Sequence, residues 1–349
     1  MVSLLVTAAI LEIGLRLFGP PYYRFNNQSQ EYYSNPRGYH DVIRQEGKYT
    51  VYGLEYLDGP DGYRISARHD QSPAGSPEVR VLGLGDSFTY GRGVRYEDIY
   101  LTRLEKLLNQ GRLRVAVKNC GVVGAGIGEV LEVYEREAAD LPRGSLVTYG
   151  LVLNDFGLDT AGSIRGLNFI DLNNGGYSFS PVRKRSSLVN FIFHAIETRR
   201  LHTATVRAYV ESFEGESAEH GFELLHSLNQ SVLENGGTLL VVVFPLLYDF
   251  DDYRFSSIHE KIEGFCRGHR IFYLDLLPAF SRHNKAEDLW ANPTDHHPNE
   301  IAHRIAAEEI AAFTANELPD FSRDRKLEES YQGVLSPSAR QRADVLWDW

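Results

Sequence analysis

The sequence predicts a doubly wound α/β fold, with one parallel sheet covered by helices on both faces. Two observations carry this. Five short apolar runs read as fully buried strands, and amphipathic helical repeats separate them. Right-handed crossovers then leave a doubly wound sheet as the leading topology. No internal repeat is visible.

The first element stands apart from that alternation. Val2 to Leu11 is almost unbroken apolar sequence, continued by Ile13, Leu15, Leu17 and Phe18. A helix of about 18 residues is about 27 Å long, close to a bilayer core. Glu12 and Arg16 interrupt the run four residues apart, so they pair on one face, and Arg16 lies near the end, where it can snorkel. Pro20 and Pro21 stop the helix. Residues 1–19 are therefore expected to anchor the chain in a membrane, with the rest outside the cytoplasm. The alternatives are a cleaved signal peptide and a secreted product, or an amphipathic helix packed on the domain.

Residues 20–75 are rich in Tyr, Asn, Gly and Pro and read as an irregular leader with short strands. From Val79 the pattern changes. Val79, Val81, Leu82 and Leu84 form a strand ending at Gly85. Leu101, Leu104, Leu107 and Leu108 recur at helical spacing, with Gly111 as the expected stop. Leu113 to Val117 is a second strand, Glu129 to Ala139 a helix and Leu146 to Leu153 a third strand. Phe222, Leu225, Leu228 and Val232 share a helix face ahead of the strand Thr238 to Phe244. Ile258, Ile262, Phe265 and Cys266 mark another helix, Ile271 to Leu276 a fifth strand, and Ile301 to Ala306 the start of the last helix.

Two segments fall outside this order. Residues 156–215 form an insertion after the third strand, with a hairpin expected at Asn173–Gly176 and an amphipathic helix through Leu188, Phe191, Ile192, Ala195 and Ile196. It is expected either to overhang the site as a lid or pocket wall, or to cover the sheet edge. Residues 319–349 are a charged tail with no assigned role. The domain of interest is thus 76–318.

Composition excludes several classes. Of 349 residues, 43% are hydrophobic and 24% charged, which is ordinary for a globular chain. With 36 Lys+Arg against 47 Asp+Glu the net charge is −11, and no basic run is present, so no nucleic-acid partner is expected. Cys120 and Cys266 are the two cysteines. Neither lies in a CxxC, and both sit on apolar elements, so buried thiols are expected.

The chemistry concentrates at strand ends. Gly85-Asp86-Ser87-Phe88-Thr89-Tyr90-Gly91 lies where the first strand meets a helix. A serine there is exposed to backbone N–H groups at a helix N-terminus, a fitting place for a nucleophile that creates an oxyanion; it is also an ordinary N-cap. A serine needs a base. Asp295-His296-His297-Pro298-Asn299 offers one, with a carboxylate two residues away; the same loop also reads as a helix cap through Asn299, or as a metal site with His303. Asn119, the turn Gly121–Gly124, and Asn154 beside Asp155 offer oxyanion donors. The glycines Gly121, Gly124, Gly126 and Gly128 do not spell a dinucleotide fingerprint.

Ser87 in GDSFTYG, Gly124 in NCGVVG, Asn154 in LVLND and His297 in DHHPN resemble, in order, the four blocks of the SGNH (GDSL-type) hydrolases. The likeness spans roughly 76–315. The apolar N-terminus followed by Asp61-Gly62-Tyr63-Arg64 also resembles the membrane-anchored bacterial branch. The resemblance implies a flavodoxin-like three-layer α/β/α fold and ester chemistry without metal or organic cofactor. It implies Ser87 as nucleophile, His297 as base and Asp295 as the group orienting it. Ser87 and Gly124 N–H groups, with the Asn154 side chain, form the implied oxyanion hole. Two departures stand out: Asp-x-His replaces the common Asp-x-x-His, and Val152 stands where Gly is frequent.

The expected activity is hydrolysis of a carboxylic ester through an acyl-serine. The expected partner is an ester-bearing small molecule, a lipid or an envelope polysaccharide. The rivals are an O-acetyltransferase or deacetylase of such a polysaccharide, and a catalytically silent membrane-tethered binding module.

Overall fold

The structure, a computed structural model, describes residues 2–18, 47–51, 54–66, 79–110, 114–156, 186–189, 191–192, 206–207, 209–283, 285–292 and 295–318. The chain divides into two compact units: Met1–Gly38 with Ala161–Glu211, and Tyr39–Thr160 with Ser212–Trp349.

The first unit contains α1 (Val2–Phe18). Its apolar residues Leu5, Val6, Ile10, Leu11, Ile13, Leu17 and Phe18 are exposed. The pairing of Arg16 with Glu12 is present at 2.6 Å. Glu12 has a second set of partners. It accepts from the backbone N–H groups of Ser187 (2.9 Å) and Leu188 (2.7 Å) and from the Ser186 hydroxyl (2.8 Å). The charge inside the apolar run therefore holds the first turn of helical residues 187–189, whose N–H groups have no intrahelical acceptor. No described helix is long and apolar enough to cross a membrane.

The second unit opens with an antiparallel hairpin, β1 (Gly47–Val51) and β2 (Leu54–Asp58), the short strands expected of the leader. The central sheet follows: β3 (Val79–Gly85), then α2 (Ser87–Tyr90), α3 (Tyr100–Leu108), β4 (Val115–Gly121), α4 (Ile127–Ala138) and β5 (Leu146–Val152). It continues through α5 (Gly215–Glu234), β6 (Thr238–Phe244), α6 (Ser256–Gly268), β7 (Phe272–Asp275) and α7 (Leu277–Phe280). The chain then forms a second hairpin, β8 (Trp290–Asn292) with β9 (Asp295–Pro298), before the long α8 (Glu300–Glu317).

The five central strands are parallel, in the order β4-β3-β5-β6-β7. Their apolar character follows from this. β6 is buried from Leu239 to Phe244, because a central parallel strand has helices on both faces. The expected apolar helix faces are the buried ones: Leu101, Leu104 and Leu108 in α3, Leu225, Leu228 and Val232 in α5, Ile258, Ile262 and Cys266 in α6. The chain runs outward from β3 to β4, then returns past β3 to β5. The strand order thus reverses beside β3, which opens a crevice at the carboxyl ends of β3, β4 and β5.

The differences from expectation are local. The second strand runs to Gly121, because its polar end Lys118-Asn119 is held in the ladder by β3. α3 stops at Leu108 with Asn109 at its C-cap, and Gly111 lies outside the described residues. Asp295–Pro298, read as a loop, is a strand. The Asn173–Gly176 turn and residues 319–349 lie outside the described residues, as does most of the 156–215 insertion. The ends of that insertion meet: Phe156 stacks on Phe213 with ring centres 5.0 Å apart, and both lie edge-on to Phe222. Cys120 and Cys266 are buried free thiols, as expected, and burial pushes both up, Cys266 to about 12.

The end of β4 lies against α2 with no room for a side chain. A Cβ on Gly121 would sit 2.3 Å from the Tyr90 backbone N. Backbone cannot rotate away as a side chain can, so Gly121→Ala is expected to cost about 3 kcal/mol of stability, the upper range for overpacking, in urea unfolding.

Candidate active site

Three strand ends and one hairpin build the site. β3 leaves the sheet through Gly85 at φ +145, a conformation open to glycine; a Cβ there would meet Thr89 Oγ1 at 2.3 Å and Gly150 O at 2.6 Å. Asp86 then caps α2, its Oδ1 accepting from Phe88 N at 2.8 Å. This puts Ser87 at the first position of α2, buried but for 7% of its surface.

His297 arrives from the other end of the domain. β8 and β9 pair, and side chains alternate faces along a strand. His296 stacks on Trp290 with ring centres 3.7 Å apart, while the Trp290 indole N–H donates to Leu247 O at 2.8 Å. His297, one residue on, places Nε2 2.9 Å from Ser87 Oγ. Its ring lies against Phe88, centre to centre 5.4 Å. The choice between neighbouring histidines is thus decided by strand alternation.

The helix-cap reading of the same segment also holds. Asn299 Oδ1 accepts from Ile301 N and Ala302 N, and its Nδ2 donates to Asp288 O. The cap, Asn299, and His297 stand two residues apart. His303 is elsewhere: buried on α8, its Nδ1 accepts from Tyr100 N at 3.2 Å. Burial above all, then Arg64, Arg103 and His297, lowers its pKa to about 3, as an accepting neutral ring requires. The four-residue metal reading is therefore not assembled around His303. The Asp295 backbone lies in β9, paired with Asn292; its side chain, expected to orient His297, lies outside what the structure describes.

Asn154 follows β5 in the turn Leu153–Asp155, and its side chain hydrogen-bonds the Asp86 carboxylate. Asp86 is the residue whose role sequence reasoning missed, although it stands inside the quoted motif. Its carboxylate receives Phe88 N, the Ser87 hydroxyl at 3.2 Å and Asn154, so one group ties Ser87 to the β5 turn. Burial pushes its pKa up, against those hydrogen bonds and the nearby His297. Gly124 follows β4 at φ +78 in a turn closed by Ala125 N to Val122 O, exposed to solvent. Asn119 does not serve as a donor to the crevice. Its Nδ2 donates to Thr89 O and its Oδ1 accepts from Gly121 N, locking β4 to α2. Val152 is buried and its N–H is taken by Asp155 Oδ2.

The GDSL-like Lipase/Acylhydrolase family model matches residues 84–305, and the chain belongs to that family. A putative lipolytic G-D-S-L protein from Desulfitobacterium hafniense DCB-2 is 12% identical, covering 66% of this chain and 97% of that one, with a TM-score of 0.39. TesA is 13% identical over 66% and 95%, TM-score 0.42. An acetylxylan esterase, Axe2, from Geobacillus stearothermophilus is 15% identical over 67% and 93%, TM-score 0.41. No curated protein matches the chain. The family is one of ester hydrolases.

A buried acid beneath the nucleophile helix makes stability depend on pH. The Tyr90 hydroxyl, at the end of α2, donates to Asp58 Oδ1 at 2.6 Å. Burial pushes the Asp58 carboxyl from 3.8 to about 6, against the Tyr90 bond and Arg64. A raised acid binds its proton more tightly in the folded state, so stability falls as pH rises from about 4 to about 6 and then levels. Asp58→Asn keeps an acceptor for Tyr90 and removes this titration. Its stability relative to wild type is expected to improve between pH 4 and pH 7, measured by chemical unfolding at both.

Proposed function

We propose that the protein is a serine esterase that cleaves a carboxylic ester through an acyl-serine intermediate. The observation that carries the reading is the 2.9 Å contact between His297 Nε2 and Ser87 Oγ in a member of an ester-hydrolase family. A serine hydroxyl is a weak nucleophile, and a neutral imidazole within hydrogen-bond reach removes its proton as it attacks. The Ser87 hydroxyl turns its proton from Asp86 to His297 Nε2, and as Ser87 Oγ bonds to the ester carbonyl carbon, His297 takes that proton. The negative charge forming on the carbonyl oxygen is met by the N–H groups of Ser87 and Gly124 and by the Asn154 amide. The intermediate collapses, His297 protonates the leaving alcohol, and water attacks the acyl-serine with His297 again as base. Asp86 holds Asn154 in the hole, and Asp295 orients His297.

We also propose that α1 attaches the protein to a membrane and that the ester hydrolase works outside the cytoplasm. The exposure of Leu5, Val6, Ile10, Leu11, Ile13, Leu17 and Phe18 supports attachment, and Glu12 is neutralised by Arg16 and by the 187–188 N–H groups rather than left to face lipid.

Ser87→Ala is expected to abolish both ester turnover and labelling by a fluorophosphonate probe, read by intact mass. Asn154→Ala is expected to lose about 3 kcal/mol of transition-state stabilisation, roughly 100-fold in kcat. An unchanged kcat would refute the proposed hole. The full chain is expected to float with anionic lipid vesicles, and a chain lacking residues 1–19 to stay in solution.

A further inference from the structure

Three side chains from the leader pack against the Ser87 helix and the loop that follows it: Arg64 and Tyr56 reach the loop, and Asp58 reaches Tyr90. The family match begins at residue 84, so this contact comes from outside it. Arg64 and Tyr56 are both buried, as are Asp58 and Tyr90. One guanidinium nitrogen of Arg64 donates to Gly91 O and the other to Val94 O, the latter at 2.6 Å. The guanidinium carbon lies 4.0 Å from the centre of the Tyr56 ring. The Tyr56 hydroxyl accepts from Gly93 N at 2.8 Å, and the Tyr56 and Tyr90 rings lie parallel, 6.2 Å apart. Tyr90 is in turn bound to Asp58. A backbone bridge between Asp58 and Arg64, and the turn Gly59–Tyr63, hold these donors on one rigid hairpin end.

The loop held in this way touches both reacting groups. Gly91 N and Arg92 N donate to the carbonyl of Ser87 itself, at 3.1 and 3.0 Å. Gly93, at φ +91, packs so closely on β8 that a Cβ would meet the Ala291 Cβ at 2.4 Å and the His297 Cβ at 3.9 Å. Residues 91–94 are therefore a spacer with Ser87 on one side and the His297 hairpin on the other. Its own hydrogen bonds within 87–94 fix the first side, and Arg64 and Tyr56 fix its height against the second.

Burying a guanidinium is costly, and an apolar side chain of similar volume would bury more cheaply. Here the charge bonds two carbonyls of a glycine-rich loop, where a planar fork sets two positions at once. We propose that Arg64 and Tyr56 are positioning residues for the ester reaction, setting the Ser87–His297 distance through the 91–94 loop. This rests on the esterase reading above. A displacement of about 1 Å in such a pair costs on the order of 100-fold in rate.

The test compares wild type with Tyr56→Phe, Arg64→Met and Arg64→Lys in the full chain. Three readouts are taken: the rate of Ser87 labelling by a fluorophosphonate, kcat and KM for p-nitrophenyl acetate, and hydrogen exchange of segments 87–94 and 295–298. Tyr56→Phe removes the acceptor for Gly93 N and keeps the ring, so its melting temperature is expected within about 2 °C of wild type, with labelling and kcat down roughly fivefold. Arg64→Met is expected to lose about 100-fold in both, with KM within twofold, and Arg64→Lys to recover part of that loss. Exchange is expected to rise in both segments. Folded variants that label at the wild-type rate would overturn the proposal. So would a loss of rate that disappears once each variant is compared at equal folded fraction. A wild type that resists the probe, like Ser87→Ala, would instead remove the esterase reading itself, and with it any reacting pair to position.

Discussion

The structure depends on one contact between distant parts of the chain. Ser87 and His297 lie 210 residues apart and meet at 2.9 Å. Neither side chain reaches the other by its own length. The first is delivered by β3 and a four-residue helix, the second by the last hairpin before α8. Each delivery needs a rigid base. For Ser87 the base is the tight approach of Gly85, Gly121 and Gly150 to α2, where no Cβ fits. For His297 it is the Trp290 indole bond to Leu247 O, and the Asn299 cap that fixes where α8 begins.

Around that contact the protein buries several charged or polar groups and gives each a specific task. Asp86 caps α2, accepts from Ser87 and holds Asn154. Arg64 holds two loop carbonyls, and His303 serves as an acceptor for the first N–H of α3. Such groups are expensive to remove from water, and each is compensated by directed hydrogen bonds. They are placed where one element must be set against another: β3 against β5, the leader against α2, α8 against α3.

A similar logic runs through the N-terminal unit. Glu12 reads in the sequence as a flaw in an apolar helix with Arg16 as its remedy. The structure gives that carboxylate three further donors at the start of a second helical segment. A charge within an apolar stretch is thus a joint between segments more than 170 residues apart, which no local pattern displays.

The sequence by itself determined the sheet and the family. Runs such as Leu239–Phe244 are apolar at every position because a parallel strand is covered twice, and that is written in consecutive residues. Ser87, Asn154 and His297 were legible because they stand at strand ends inside short ordered motifs. What only the tertiary structure decided is which groups meet. That His297 rather than His296 faces Ser87 follows from the phase of a hairpin whose β8–β9 pairing the loop reading concealed. The tasks of Asp86, Arg64, Tyr56 and Glu12 depend on partners across the sheet or from another segment. Local periodicity records how much of a residue is buried, but not what it is buried against.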